Sequence, residues 1–222
     1  MKARSSVMLS SLLTIAAAGV FLEGGVAAQY GERTSASRTP ASWENDQFRV
    51  RRIALAPGAQ IVPPEGQDTV LVFLTADLDG RMPPAEAVWL DRGPRPLENR
   101  GHERFEAIAI GVKDGPASGR AGTPAELVNL TDQADVRVLI DGPRAMVLKA
   151  RYRSNAYATP LHFHPRDLLA VYLAGGYTWL PKAEWGSYRV TRGDVDLVPA
   201  DTLHLFGNAG SDPLDCLLIV PK

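Results

Sequence analysis

From Asp46 onward, short apolar stretches alternate with Gly- and Pro-rich punctuation, and no stretch keeps a helical repeat. The runs Phe48 to Leu55, Thr69 to Thr75, Ala87 to Leu90 and Phe105 to Val112 are dense in β-branched, aromatic and aliphatic residues, which predicts strands. Between them, Pro57-Gly58, Asp79-Gly80, Arg92-Gly93-Pro94 and Asp114-Gly115-Pro116 suit turns. A loop from about Lys113 to Leu127 then leads into a second series: Val136 to Ile140, Ala145 to Tyr152, Leu168 to Leu173, Gly186 to Val190, Val195 to Val198 and Cys216 to Val220. Many short strands with dense turn signals predict an all-β sandwich or barrel.

The two series match in outline. Thr69-Val70-Leu71-Val72-Phe73-Leu74 before Asp79-Gly80 parallels Leu168-Leu169-Ala170-Val171-Tyr172-Leu173 before Gly175-Gly176, and each leads on to an asparagine, Asn99 or Asn208. That self-similarity predicts an internal duplication with a period of about one hundred residues. The expected organisation is a first barrel over 46–113, a linker over 114–127 and a second barrel over 128–222.

The N-terminus follows another pattern. Lys2 and Arg4 precede an apolar run from Val7 to Leu22, and Glu23 to Ala28 then brings small residues before Gln29. A basic start, an apolar middle and small residues at the cut make a signal peptide over 1–28. Sixteen residues rich in Ala and Ser are short for crossing a bilayer, which takes roughly 20 apolar residues. Export to the periplasm or medium is therefore expected, without stable membrane insertion after cleavage. Residues 29–45, with Ser, Thr, Arg and Pro and no periodicity, predict a loose arm.

Composition narrows the partners. With 45% apolar and 22% charged residues the 222-residue chain is ordinary for a globular protein, and a net charge of -1 argues against nucleic acid. Cys216 is the only cysteine, in a short apolar run, so it predicts a buried strand thiol and no intrachain disulfide.

The chemistry-bearing segment is Pro160-Leu161-His162-Phe163-His164-Pro165-Arg166-Asp167. Residues two apart on a strand point to one face, so both imidazoles can converge on a metal. Forty residues on, the run Gly193 to Asn208 brings His204 on another strand. His102, in the turn Asn99-Arg100-Gly101-His102-Glu103, is expected to face solvent. By alternation from Leu168 and His204, Tyr172 and Phe206 face inward, as core filling or, for Tyr172, as a hydrogen-bond donor to a ligand.

These segments resemble the paired signatures of the cupin superfamily. The first is His-x-His, an acidic residue three or four positions further on, and a glycine. The second is Gly-x5-Pro-x4-His-x3-Asn. His162, His164 and Gly175 match the first; Gly193, Pro199, His204 and Asn208 match the second. The resemblance covers the second half directly and implies two cupin barrels in tandem, with one divalent metal inside a barrel. It is compatible with a homodimer and a small-molecule substrate or ligand. Its members include oxygenases, isomerases, decarboxylases and proteins that only bind.

One departure stands out. Where the resemblance calls for a glutamate ligand, the chain has Leu168 or Leu169, and Asp167 falls one position early, which turns its carboxylate to the other face of a regular strand. What remains is a three-histidine set, and such sets in some cupin dioxygenases imply iron(II), with copper, zinc, manganese or nickel as alternatives. Aligning Val72 with Val171 puts Pro63 and Glu65 in place of His162 and His164, and aligning Leu90 with Val198 puts Pro96 near the third position. Proline cannot ligate, so the first barrel is expected to be metal-free and to serve packing. Two readings stay open, a dioxygenase-like oxidoreductase and a non-catalytic cupin that binds a small molecule with or without metal. No Asp or Glu is placed in the pocket by spacing.

Overall fold

The computed structural model describes residues 42–62, 66–76, 78–80, 86–93, 96–114, 134–157, 164, 166–179, 187–204 and 206–222. The segment 1–28 expected as a signal peptide, most of the linker expected over 114–127, and His162 lie outside them. Among the described residues every regular element is a β-strand, as expected for an all-β chain, and none is a helix long and apolar enough to cross a membrane.

The first half holds β1 (Ser42–Glu44), β2 (Phe48–Leu55), β3 (Gln60–Ile61), β4 (Asp68–Phe73), β5 (Ala87–Leu90), β6 (Leu97–Glu98) and β7 (Phe105–Val112). The second holds β8 (Ala134–Asp141), β9 (Ala145–Tyr152), β10 (Ala156–Tyr157), β11 (Leu168–Tyr172), β12 (Gly176–Trp179), β13 (Ser187–Val190), β14 (Val195–Val198), β15 (Gly207–Asn208) and β16 (Leu214–Pro221). Each half builds one five-stranded antiparallel sheet, in the order β1-β2-β7-β4-β5 or β8-β9-β16-β11-β14, and the two orders are the same. Smaller sheets follow suit, β3-β6 in the first half and β10-β15-β12-β13 in the second. The duplication extends to register: Val72 lies opposite Ile108 as Val171 lies opposite Leu217, and Leu90 lies opposite Thr69 as Val198 lies opposite Leu168.

Strand alternation distributes the apolar side chains over three cores. On one face of the large sheets, Val50, Val70, Val72, Ile108 and Ile110 of the first half meet Val147, Leu169, Val171, Leu217 and Ile219 of the second. The opposite faces line separate interiors. Ile53, Leu71, Phe73, Leu97 and Ala109 fill the first; Leu148, Leu168, Ala170, Tyr172, Val198 and Phe206 fill the second. Strands such as β4 and β11 are thus buried on both faces, which is why they read as unbroken apolar runs.

The asparagines that close each repeat have the same job. Asn99 donates to the carbonyls of Leu55 (3.0 Å) and Glu103 (2.7 Å) and accepts from Gly101 N (3.0 Å). Asn208 donates to the carbonyls of Arg153 (3.1 Å) and Asp212 (2.6 Å) and accepts from Gly210 N (2.8 Å). Both side chains are buried, and each satisfies backbone groups that the irregular chain after the strand leaves open.

Of the segment 29–45 expected as a loose arm, 29–41 lie outside the described residues and the last four positions are built into the fold. Residues 42–45 are strand and turn, because Trp43 packs on the core between the sheets and Glu44 is gripped by Arg49 and Lys113.

Candidate functional site

The signature residues of the second half play separable parts. Gly193 has φ +82° in the turn before β14, and a Cβ there would come within 2.7 Å of Leu74 Cδ1, so glycine is required twice over. After β14, Asp201 adopts φ 56° and its amide donates to the carbonyl of His164 at 2.8 Å. This bond ties the chain before β11 to the turn that leads into His204. Asp201 is therefore a turn residue, as its left-handed backbone and position suggest.

His164 and His204 come together. Both are buried, and their ring centroids lie 4.8 Å apart with the planes tilted by 46°. His204 Nδ1 lies 2.8 Å from the carbonyl oxygen of Thr202. A carbonyl can only accept, so Nδ1 is the protonated nitrogen and, in the neutral ring, Nε2 carries the lone pair. A backbone carbonyl on one ring nitrogen is the arrangement that orients metal-binding imidazoles. His102 is exposed, away from any such arrangement.

Asp167 is placed elsewhere. Its Oδ1 accepts from the amide of Ala200 (2.9 Å) and its Oδ2 from the Asn45 side chain (2.8 Å). The first half repeats the motif, for Asp68, the register equivalent of Asp167, accepts at 3.1 Å from the amide of Arg92, the equivalent of Ala200. A carboxylate at this place latches the turn beyond the neighbouring strand. Leu168, where a glutamate ligand would stand, is buried in the second interior.

Tyr172 and Phe206 do face that interior. Their rings stack at 6.4 Å with 14° between planes, and Tyr152 closes on Phe206 at 5.1 Å. Tyr172 Oη is buried beside Thr178 and Tyr188 yet makes no hydrogen bond of good geometry among the described groups. Burial, then the nearby charge of Asp196, drives its phenol well above the usual range.

One buried carboxylate escaped sequence reasoning. Asp196 lies opposite Ala170, on the same face of β14 as Val198, and is 7% exposed. The Tyr188 hydroxyl donates to its Oδ2. Burial and the Asp196 charge push the Tyr188 phenol far up, so the phenol keeps its proton at any ordinary pH. The interior thus holds two imidazoles, a carboxylate–phenol pair and an unspent phenol within an otherwise apolar lining. The one signal that could have found Asp196 is its position two residues before the inward Val198; polarity could not, because β14 is flanked by apolar residues whichever face is chosen.

No protein-family model and no curated protein sequence matches the chain. Solved structures do. A cupin 2 conserved barrel domain protein from Leptotrichia buccalis aligns with 81% of this chain and 86% of its own at 16% identity and TM-score 0.51. An oxalate decarboxylase from Lactobacillus farciminis aligns over 80% and 78% at 12% identity and TM-score 0.58. A salicylate 1,2-dioxygenase from Pseudaminobacter salicylatoxidans aligns over 79% and 71% at 8% identity and TM-score 0.58. At these identities the likeness is one of fold. The chain has the fold of the cupin superfamily.

Proposed function

We propose that the second half binds one divalent transition metal through His162, His164 and His204, with iron(II) as the first choice, and that the exported chain is a dioxygenase-type oxidoreductase acting on a small molecule. The observation that carries this reading is His204, whose Nδ1–H bond to Thr202 presents Nε2 as a ligand beside the His164 ring. Neutral imidazoles suit such a metal, and one held by His162, His164 and His204 would supply Lewis-acid or redox chemistry to a small molecule bound beside it. The chain's own groups do the rest. Leu168, Val198 and Phe206 keep the lining apolar and limit water. Asp196 holds the Tyr188 proton in a hydrogen bond, and Tyr172 can donate to an oxygen of the substrate.

Metal analysis of the protein purified from its native host tests the site. Stoichiometric metal in the wild type and loss of most of it in His164→Ala/His204→Ala is the expected result; equal content in both overturns it. Oxygen uptake with phenolic and diketone compounds then separates the enzyme from a binding protein. The binding reading is favoured by Leu168, which replaces the one carboxylate the resemblance would have placed at the metal, and metal-replete protein without oxygen uptake on any compound would select it. Export is tested by N-terminal sequencing of the mature protein, expected to begin at Gln29.

A further inference from the structure

The first half is not chemically silent. Its interior keeps a cavity of about 70 Å³ whose lining includes Ile53, Leu71, Leu97 and Ala109 with Arg51 and Thr69. By register the cavity corresponds to the second interior: Thr69, opposite Leu90, stands where Leu168 stands opposite Val198, and Arg51, opposite Ala109, stands where Leu148 stands opposite Leu218. Arg51 projects on the same face of β2 as Ile53 and is exposed at the mouth. It makes no ion pair with any described residue, whereas Arg49, Arg52 and Arg92 around it are all paired with carboxylates. Among the described residues of the lining none is acidic.

We propose that this cavity binds a short branched monocarboxylate, with its hydrocarbon end among Ile53, Leu71, Leu97 and Ala109 and its carboxylate on the Arg51 guanidinium. Size sets the class. At roughly 10–15 Å³ for each water position, the cavity takes about five to seven water-sized groups, which matches a branched acid of four to six carbons with the carboxylate at the rim. Chemistry sets the charge, since a planar guanidinium with no partner is built to take a carboxylate through two parallel N–H bonds. Thr69, almost fully buried, lines the same cavity. Nothing in this inference depends on a metal in the second half.

The test is titration of the full chain with sodium isovalerate, followed by methyl NMR and calorimetry, with isovaleramide as the uncharged counterpart. Isovalerate is expected to shift the methyl signals of Ile53, Leu71 and Ala109 with millimolar or tighter affinity. Arg51→Gln, which leaves a side chain that Ala109 and its neighbours can pack on, is expected to weaken binding by roughly tenfold or more, and isovaleramide should bind more weakly by a similar factor. His164→Ala/His204→Ala should leave the titration unchanged, which keeps this result separate from the fate of the metal site. The inference is overturned by absence of shifts at those methyls, by equal affinity for the amide, by indifference to Arg51→Gln in a variant with a native spectrum, or by loss of binding in the histidine double variant.

Discussion

The bond between His204 Nδ1 and Thr202 shows how a single backbone carbonyl can commit a side chain to one role, by choosing which nitrogen is bare. Aspartates 167 and 196 show the same dependence on neighbours. Asp167 follows the His-x-His pair closely enough to suggest a ligand, but an amide and a carboxamide have already taken its two oxygens. Replacing it with Ala should cost about 1–3 kcal/mol of stability in chemical denaturation and leave metal content unchanged; a selective loss of metal would return it to the site. Tyr188→Phe removes the hydroxyl that donates to the buried Asp196 carboxylate and should destabilise by about 1–3 kcal/mol in chemical denaturation. Cys216 is 0% exposed and burial pushes its thiol up, so it should resist thiol reagents at pH 8 until the protein unfolds. That His164 and His204 meet was legible in the spacing of the two segments. The two aspartates were not, because their meaning depends on what the folded chain brings against them from residues far away.

At the scale of the element, the long strands could be read from composition, and the two-residue strands β3, β6, β10 and β15 could not. Those short pieces form because the Asn99 and Asn208 side chains organise the chain around them, and a hydrogen-bonding hub leaves no periodicity to detect. Removing either hub should be costly: Asn99→Ala and Asn208→Ala each abandon buried backbone groups, and a loss of about 2 kcal/mol or more is expected in urea unfolding. Edge strand β1 is held differently, by charge. Glu44 accepts two hydrogen bonds from Arg49 (2.7 and 2.9 Å) and pairs with Lys113 at 2.6 Å, and these partners lower its carboxyl from 4.5 to about 2. A depressed carboxyl stabilises the fold above its unfolded value and loses that contribution as pH falls from about 4.5 toward 2. Glu44→Gln should therefore flatten the acid side of the stability profile over that window, with the wild-type advantage shrinking at high salt because the group is exposed.

Across the whole molecule the two halves are joined by a shared apolar layer and by crossed polar contacts. Asn45 of the first half reaches Asp167 of the second, and Arg144 of the second lies 3.8 Å from Asp68 of the first, so the same aspartate in each repeat is met from the other repeat. The repeat itself was visible as a similarity of apolar runs and asparagines. Its divergence was expected too, from the prolines that align with histidines in the sequence, but the cavity of the first half was not, since emptiness leaves no mark on a sequence. The shared layer has a practical meaning. Leu169→Ala at its centre should cost about 2–5 kcal/mol, and either half alone would present Val50, Val70, Ile108 and Ile110 or their counterparts to water. Cleavage engineered within 115–133 should thus yield two fragments that co-purify and unfold together at a midpoint that depends on concentration, and the gene could be divided there into a pair whose reunion reports that two tagged proteins have met.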